Sequence, residues 1–466
     1  MRKIVSFFLA LWMALTMISP SLADAEFLPQ LSQWEIGALP WEAQLSISLD
    51  THMPFDEERT EQLNRLLSHA VMKLRYQGLN GEVWKELSFL VDDQPALNMT
   101  TRETSESCQF QLSYLPRESF VCQTLSAGTE LSLYGLQGNE LDLLDDLLIV
   151  LENAEIGLPD YMTEKKISEK VKNMGTAKLK QTFTIPKGDV EGLGVLLAGL
   201  CPEGKVKTFL NGLTFSGKQS LVLWKNSLGE IIRVDYSGQA GTDEADLRKV
   251  SLVWKLRRDD EQVRDSLTLK TPRVKGSGRN NVVLERTLSQ TSETDSILEI
   301  TFKYEKVADG DKTVLSGEVD LESRDRKGET SLTGSVEVKQ QLPDSDTADR
   351  TVLTPNLSFS GDAATPAVDG TLRWEAFRGK SIQERADISI QVNASEFFDW
   401  ELRENIVALD EAAMQRILRG AESALVRRLV LVPREDSLFL SNGLEDAQWQ
   451  EIVTAAQNAL QEEVAP

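Results

Sequence analysis

Residues 295–341 read DSILEITFKYEKVADGDKTVLSGEVDLESRDRKGETSLTGSVEVKQQ, and their alternation decides the fold. Leu298, Ile300, Phe302 and Tyr304 fall on one parity; Glu299, Thr301, Lys303 and Glu305 fall on the other. Successive strand side chains point to opposite faces, so a period of two makes a strand with one apolar and one wet face. Asp309-Gly310-Asp311 and Asp325-Arg326-Lys327-Gly328 interrupt the alternation as tight turns do. The same pattern recurs outward, at Val250, Leu252, Trp254 and Leu256 and at Ile388, Ile390 and Val392, with another turn at Asn226-Ser227-Leu228-Gly229. From Leu213 to Val392 the chain therefore predicts an antiparallel meander of about nine or ten strands.

A short motif repeats inside it. Leu315-Ser316-Gly317-Glu318-Val319 is echoed by Leu332-Thr333-Gly334-Ser335-Val336 and by Val368-Asp369-Gly370-Thr371-Leu372. A glycine weakens a strand, so its return on the apolar parity points to a bend or to the close approach of another element.

Helical patterns flank the meander. Asp56 is placed to cap a helix over about 56–70 with Leu63, Leu66, Leu67 and Ala70 on one face. Leu143, Leu144, Leu147, Leu148 and Leu151 follow helical spacing, as do Leu409–Leu429 and Glu445–Leu460, and a run from Asp189 to Leu200 reads the same way. Residues 72–77 and 84–91 read as strands turning at Asn80-Gly81. The expected class is α+β: a long curved antiparallel meander, half-barrel-like or built as two related half-barrels, with helices packed on its apolar face. The expected organisation is a signal peptide over 1–25, an N-terminal α+β unit over 26–157, a polar linker over 158–178, the meander domain over 179–395 and a helical segment over 396–466.

Residues 1–25, MRKIVSFFLALWMALTMISPSLADA, join a basic start, an apolar core and a small-residue Ala23-Asp24-Ala25 terminus, the pattern of a secretory signal. Export makes disulfides available. Cys108 and Cys122 flank a hairpin-like segment, and a bridge between them would contribute about 3 kcal/mol for a loop of roughly 15 residues. Cys201, in LLAGLCPEG, reads as a small core residue.

Composition excludes more than it assigns. The 466 residues carry 73 acidic and 50 basic side chains, net −23, which disfavours nucleic acid and anionic lipid surfaces. Two His, at 52 and 69, and three Cys make an imidazole or thiolate zinc site hard to build. No nucleotide-binding glycine loop, nucleophile elbow or His-Glu-x-x-His spacing occurs. No cofactor is expected. Asp344, Asp346 and Asp349 read as a solvated acidic turn.

The leading expectation is a soluble, exported, non-catalytic binding or scaffolding protein of the envelope or extracellular space. It would hold an apolar ligand where the helices leave the sheet uncovered. Trp254, Phe302, Tyr304, Leu372 and Trp374 are the expected lining, being on the apolar parity of their strands. The expected partner is an apolar small molecule or another envelope protein, with no nucleic acid and no transmembrane span after signal removal. The rivals are a secreted hydrolase using a carboxylate pair and a structural surface or matrix protein.

Overall fold

A computed structural model describes residues 40–464, apart from 50–55, 80–81, 105–106, 116, 124–141, 202–204, 243–246, 260–261, 273–277, 293, 309–310, 327, 342, 344–346, 362–364, 366, 398–404 and 410. The signal peptide, His52 and most of the acidic Asp344–Asp346 turn lie outside the described residues.

In chain order the first elements are β1 (Trp41–Leu49), α1 (Glu57–Ser68), β2 (Ala70–Leu79), β3 (Glu82–Val91), β4 (Gln94–Glu103), β5 (Ser107–Leu112) and β6 (Ser119–Gln123). Helices α2 (Asp142–Glu152) and α3 (Ala154–Gly157), strands β7 (Met162–Val171) and β8 (Gly175–Ile185), and helices α4 (Leu193–Ala198) and α5 (Lys205–Asn211) follow. The meander then runs through β9 (Thr214–Lys225), β10 (Ile231–Gly241), β11 (Arg248–Arg258), β12 (Gln262–Pro272), β13 (Arg279–Gln290), β14 (Asp295–Ala308), β15 (Asp311–Arg326), β16 (Glu329–Gln341), β17 (Asp349–Ser360), β18 (Ala367–Arg378) and β19 (Ser381–Ala394). Strand β20 (Ile406–Ala408) and helices α6 (Glu411–Leu429), α7 (Leu438–Ser441) and α8 (Asp446–Val464) close the chain. The chain is thus mostly a long antiparallel meander.

It divides into two units. The first holds residues 1–135, 325–333 and 353–466. Here β18, β19, β1, β2, β3, β4, β5 and β6 pair antiparallel in that order, and β20 pairs parallel to β6. Strand β1 is the joint, with Leu45 opposite both Ile390 and Met72. That pairing draws the N-terminal strands, the end of the meander and the C-terminal helices into one body, where the sequence pattern suggested separate segments. Asp56 caps α1 as expected, its carboxylate accepting from the Arg59 N–H at 2.8 Å. Leu66, Val91, Ala96 and Val432 form a small core between α1, the β3–β4 hairpin and the turn after α6.

The second unit holds residues 136–324 and 334–352. Strands β7 through β15 pair antiparallel, each with the next in sequence. Its core gathers Phe183, Leu223, Val234, Trp254 and Leu256 under Ala154, Leu158 and Leu193. The expected linker 158–178 contains strand β7, whose Glu164, Lys165 and Lys166 are exposed. Its polarity is that of a wet strand, not of a connector.

Two features of the expected architecture need correction. The helices do not blanket the apolar face: α4 rests on β9, α1 on β1 and β2, and α6 on β4. Length is the reason. The 11-residue α2 spans about 16 Å at 1.5 Å per residue, whereas the 16-residue β15 spans about 50 Å. The run expected as a helix from Asp189 to Leu200 is a 3-10 turn at Lys187–Asp189 followed by a helix of only 6 residues behind Gly192, whose φ of 73° admits glycine most easily.

The repeated glycines are required, as their recurrence suggested. A Cβ on Gly334 would stand 2.0 Å from the Asp320 carbonyl oxygen, and one on Gly370 would stand 2.2 Å from that of Asn356. Both also hold positive φ, 135° and 148°. Gly317 faces a different obstacle, the Phe302 ring, which occupies the place its Cβ would take, at 2.2 Å.

Candidate functional site

Direct cross-strand neighbours share a face. In the second unit one such row runs Trp254, Leu267, Leu284, Phe302 and Gly317, and the next runs Leu256, Asp265, Arg286, Ile300 and Val319. The first row holds two of the expected lining residues; Tyr304 follows in a third row with Leu252, Leu269, Val282 and Leu315. Trp254, Phe302 and Tyr304 are therefore brought together on one face. Trp254 is buried, and Phe302 covers the gap left by Gly317.

The second row contains what the sequence reading missed. Asp265 is buried to 1 % exposure on the apolar face. Its Oδ1 accepts from the Trp254 indole N–H at 2.9 Å and from an Arg258 terminal nitrogen at 2.9 Å. Its Oδ2 accepts from Arg286 Nε at 2.8 Å, and Arg286 is itself buried. A desolvated carboxylate is held this way only when its lone pairs are filled by charged donors. The signal was present in the alternation: Asp265 sits on the parity of Val263 and Leu267, and Arg286 on that of Leu284 and Leu288. The opposite face is wet, with Glu285, Thr301 and Glu318 exposed in one row.

The other two expected lining residues belong to the first unit. Leu372 and Trp374 lie opposite Ile388 and Ala386, both pairs buried. They are core positions of that unit. In the same unit Cys108 stands directly opposite Cys122 in the β5–β6 register. Nearby, Lys85 is buried and donates to Glu103 at 2.6 Å. Burial lowers the lysine pKa, and the Glu103 carboxylate opposes that shift. Among the described residues no group of three or more His, Cys, Asp or Glu is placed to hold a metal ion.

The second unit also displays exposed apolar side chains. Ile156 of α3 is 79 % exposed, Val195 of α4 is 64 % exposed and Phe209 of α5 is 61 % exposed. Leu196 and Ile149 add to them. The helices carrying them are jammed together. A Cβ on Gly194 would lie 2.6 Å from the Leu210 carbonyl oxygen, and one on Gly157 would strike Leu200. The inner faces of α2, α4 and α5 are spent on a core of Val150, Ala198, Cys201, Val206 and Leu210, where Cys201 is the small core residue expected, and α3 turns Ala154 into the main core. Close packing inside leaves Ile156, Val195, Leu196 and Phe209 turned outward. Isolated apolar residues are ordinary on a surface; here several stand on helices that pack against one another.

No family model and no curated protein sequence matches the chain. Solved structures do align. The loop L8 deletion mutant of OmpT, an outer membrane protein of Vibrio cholerae, is 5 % identical and covers 76 % of this chain and 97 % of its own, with a TM-score of 0.27. An anion-selective porin from Comamonas acidovorans aligns at 6 % identity over 76 % of this chain and 98 % of its own, TM-score 0.26. OccAB4 of Acinetobacter baumannii aligns at 7 % identity over 77 % and 98 %, TM-score 0.25.

The expectation of a soluble exported binder or scaffold with no transmembrane span after signal removal is corrected here. Apolar side chains stand exposed on α3, α4 and α5. The readings as a ligand carrier, a carboxylate hydrolase and a matrix protein are set aside with it. No helix among the described residues is long and apolar enough to cross a membrane.

Proposed function

We propose that this is a non-enzymatic protein of the cell envelope that works in contact with a lipid bilayer, with α3, α4 and α5 of the second unit entering the interface. The observation that carries this reading is the outward set of Ile156, Val195, Leu196 and Phe209 on three helices whose inner faces are already packed. Transfer of such side chains into acyl chains is favoured by roughly 25 cal/mol per Å² of apolar surface removed from water. A net charge of −23 adds nothing to attraction for anionic headgroups, so the contact is apolar in origin and suits a zwitterionic surface.

Fractionation of cells producing the full chain tests the proposal. The protein is expected in the membrane fraction, released by detergent and retained in 1 M salt. Recovery in the soluble fraction, or release by salt alone, would overturn it.

A further inference from the structure

His69 closes a contact between parts of the chain that are far apart in sequence. Its Nδ1 lies 2.6 Å from Asp92 Oδ1 and its Nε2 lies 3.1 Å from Asp436 Oδ2, across 367 residues of sequence. Asp92 belongs to the two-residue β3–β4 turn, where Asp92 and Asp93 both hold positive φ, 50° and 60°. The Asp92 N–H also donates to the His69 carbonyl at 2.9 Å, so this carboxylate is fixed beside the ring by the backbone. Asp436 sits in the turn that follows Pro433, between α6 and α7. Beneath the ring, Leu66, Val91 and Ala96 meet Val432, with Leu425, Leu429 and Leu440 packed around them. The imidazole therefore spans the rim of the apolar contact that docks the C-terminal segment on the first unit.

We propose that His69 is a pH-sensitive clasp that holds the C-terminal segment, residues 430–464, against α1 and the β3–β4 hairpin. An imidazolium has two N–H donors and satisfies both carboxylates. A neutral ring has one donor and leaves its other nitrogen lone pair facing a carboxylate, which loosens the dock. The other charges facing this place are few. From α1, Arg65 is bound to Glu61 at 2.6 Å and also feels Asp436. From the β3–β4 turn comes Asp93. From the 433–436 turn come Glu435 and Arg434, the latter engaged by Asp446 and the Leu444 carbonyl. The hydrogen bond to Asp92, helped by Asp436, raises the imidazole pKa above its ordinary value of 6.5. A raised basic pKa gives stability that is complete below the unfolded value and lost as pH rises through the folded one. The clasp is closed in mild acid and loosens as the pH rises through the raised imidazole pKa.

The test is hydrogen exchange of the full chain at pH 5.5 and 8.5, corrected for intrinsic rates, read on amides of α7 and α8. Protection should fall about tenfold per unit of pKa elevation as the pH rises. The fall should vanish in His69→Gln and shrink in Asp436→Asn. Equal protection of the unsubstituted protein at both pH values, or unaltered pH dependence in His69→Gln, would overturn the proposal. If His69→Gln does not fold, proton NMR of the His52→Gln protein follows the one remaining histidine. A titration midpoint above 6.5 supports the clasp, and one at or below 6.5 refutes it.

Discussion

Asp265 accepts the Trp254 indole N–H at 2.9 Å while both residues are 1 % exposed, so a buried aromatic of the second unit is oriented by a buried carboxylate. Arg258 and Arg286 complete the arrangement. A tryptophan on this parity is expected to present a smooth apolar surface. Here its polar edge is committed to a charge network, and the network fixes which way the ring lies.

Removing the carboxylate should therefore be costly. Asp265→Asn leaves the buried Arg286 guanidinium without its counter-charge, and a loss of about 3–5 kcal/mol is expected in urea denaturation. Trp254→Phe removes one donor and leaves the arginines in place, so about 1–3 kcal/mol is expected. Equal costs for the two variants would show that the charges are not what holds the network.

The repeated glycines make a separate prediction. Gly334→Ala and Gly370→Ala place a methyl about 2 Å from a carbonyl oxygen in a backbone region that L-residues avoid, and each should cost about 1–3 kcal/mol or more. Gly188→Ala, where the space is open, should stay within about 0.5 kcal/mol of the starting protein. A thermal melt of each variant decides this.

Cys108 stands directly opposite Cys122 in the β5–β6 register, the backbone placement that the bridge expected from their spacing would need. Non-reducing mass mapping of exported protein is expected to find these two joined. Reduction, or Cys122→Ser, should lower stability by about 3 kcal/mol. A Cys201 disulfide in the map would contradict the pairing.

The fold was legible where alternation was strict. Phe302 and Tyr304 gave the β14 face directly, and Asp56 gave the start of α1. Topology was less legible, because the pairing of β1 with β19 joins segments some 340 residues apart and leaves no local mark. The polar run at 158–178 misled for a plain reason: a strand exposed on much of its surface has a linker's composition. Asp265 and Arg286 were readable as charges on an apolar parity. Ile156, Val195 and Phe209 were not, because an apolar residue on a short helix looks the same in sequence whether it packs inward or outward. Only the close approach at Gly194 shows which side was already filled.

Partitioning of the purified full chain onto phosphatidylcholine vesicles, compared with the Val195→Asp/Phe209→Asp double variant, tests the membrane reading most directly. The starting protein should bind with a partition constant that is unchanged between 0.1 and 1 M salt. The double variant should bind at least about tenfold more weakly while keeping the same unfolding midpoint, since two apolar side chains lose their lipid contact. Absence of binding by the starting protein, or equal binding by the double variant, would contradict the account.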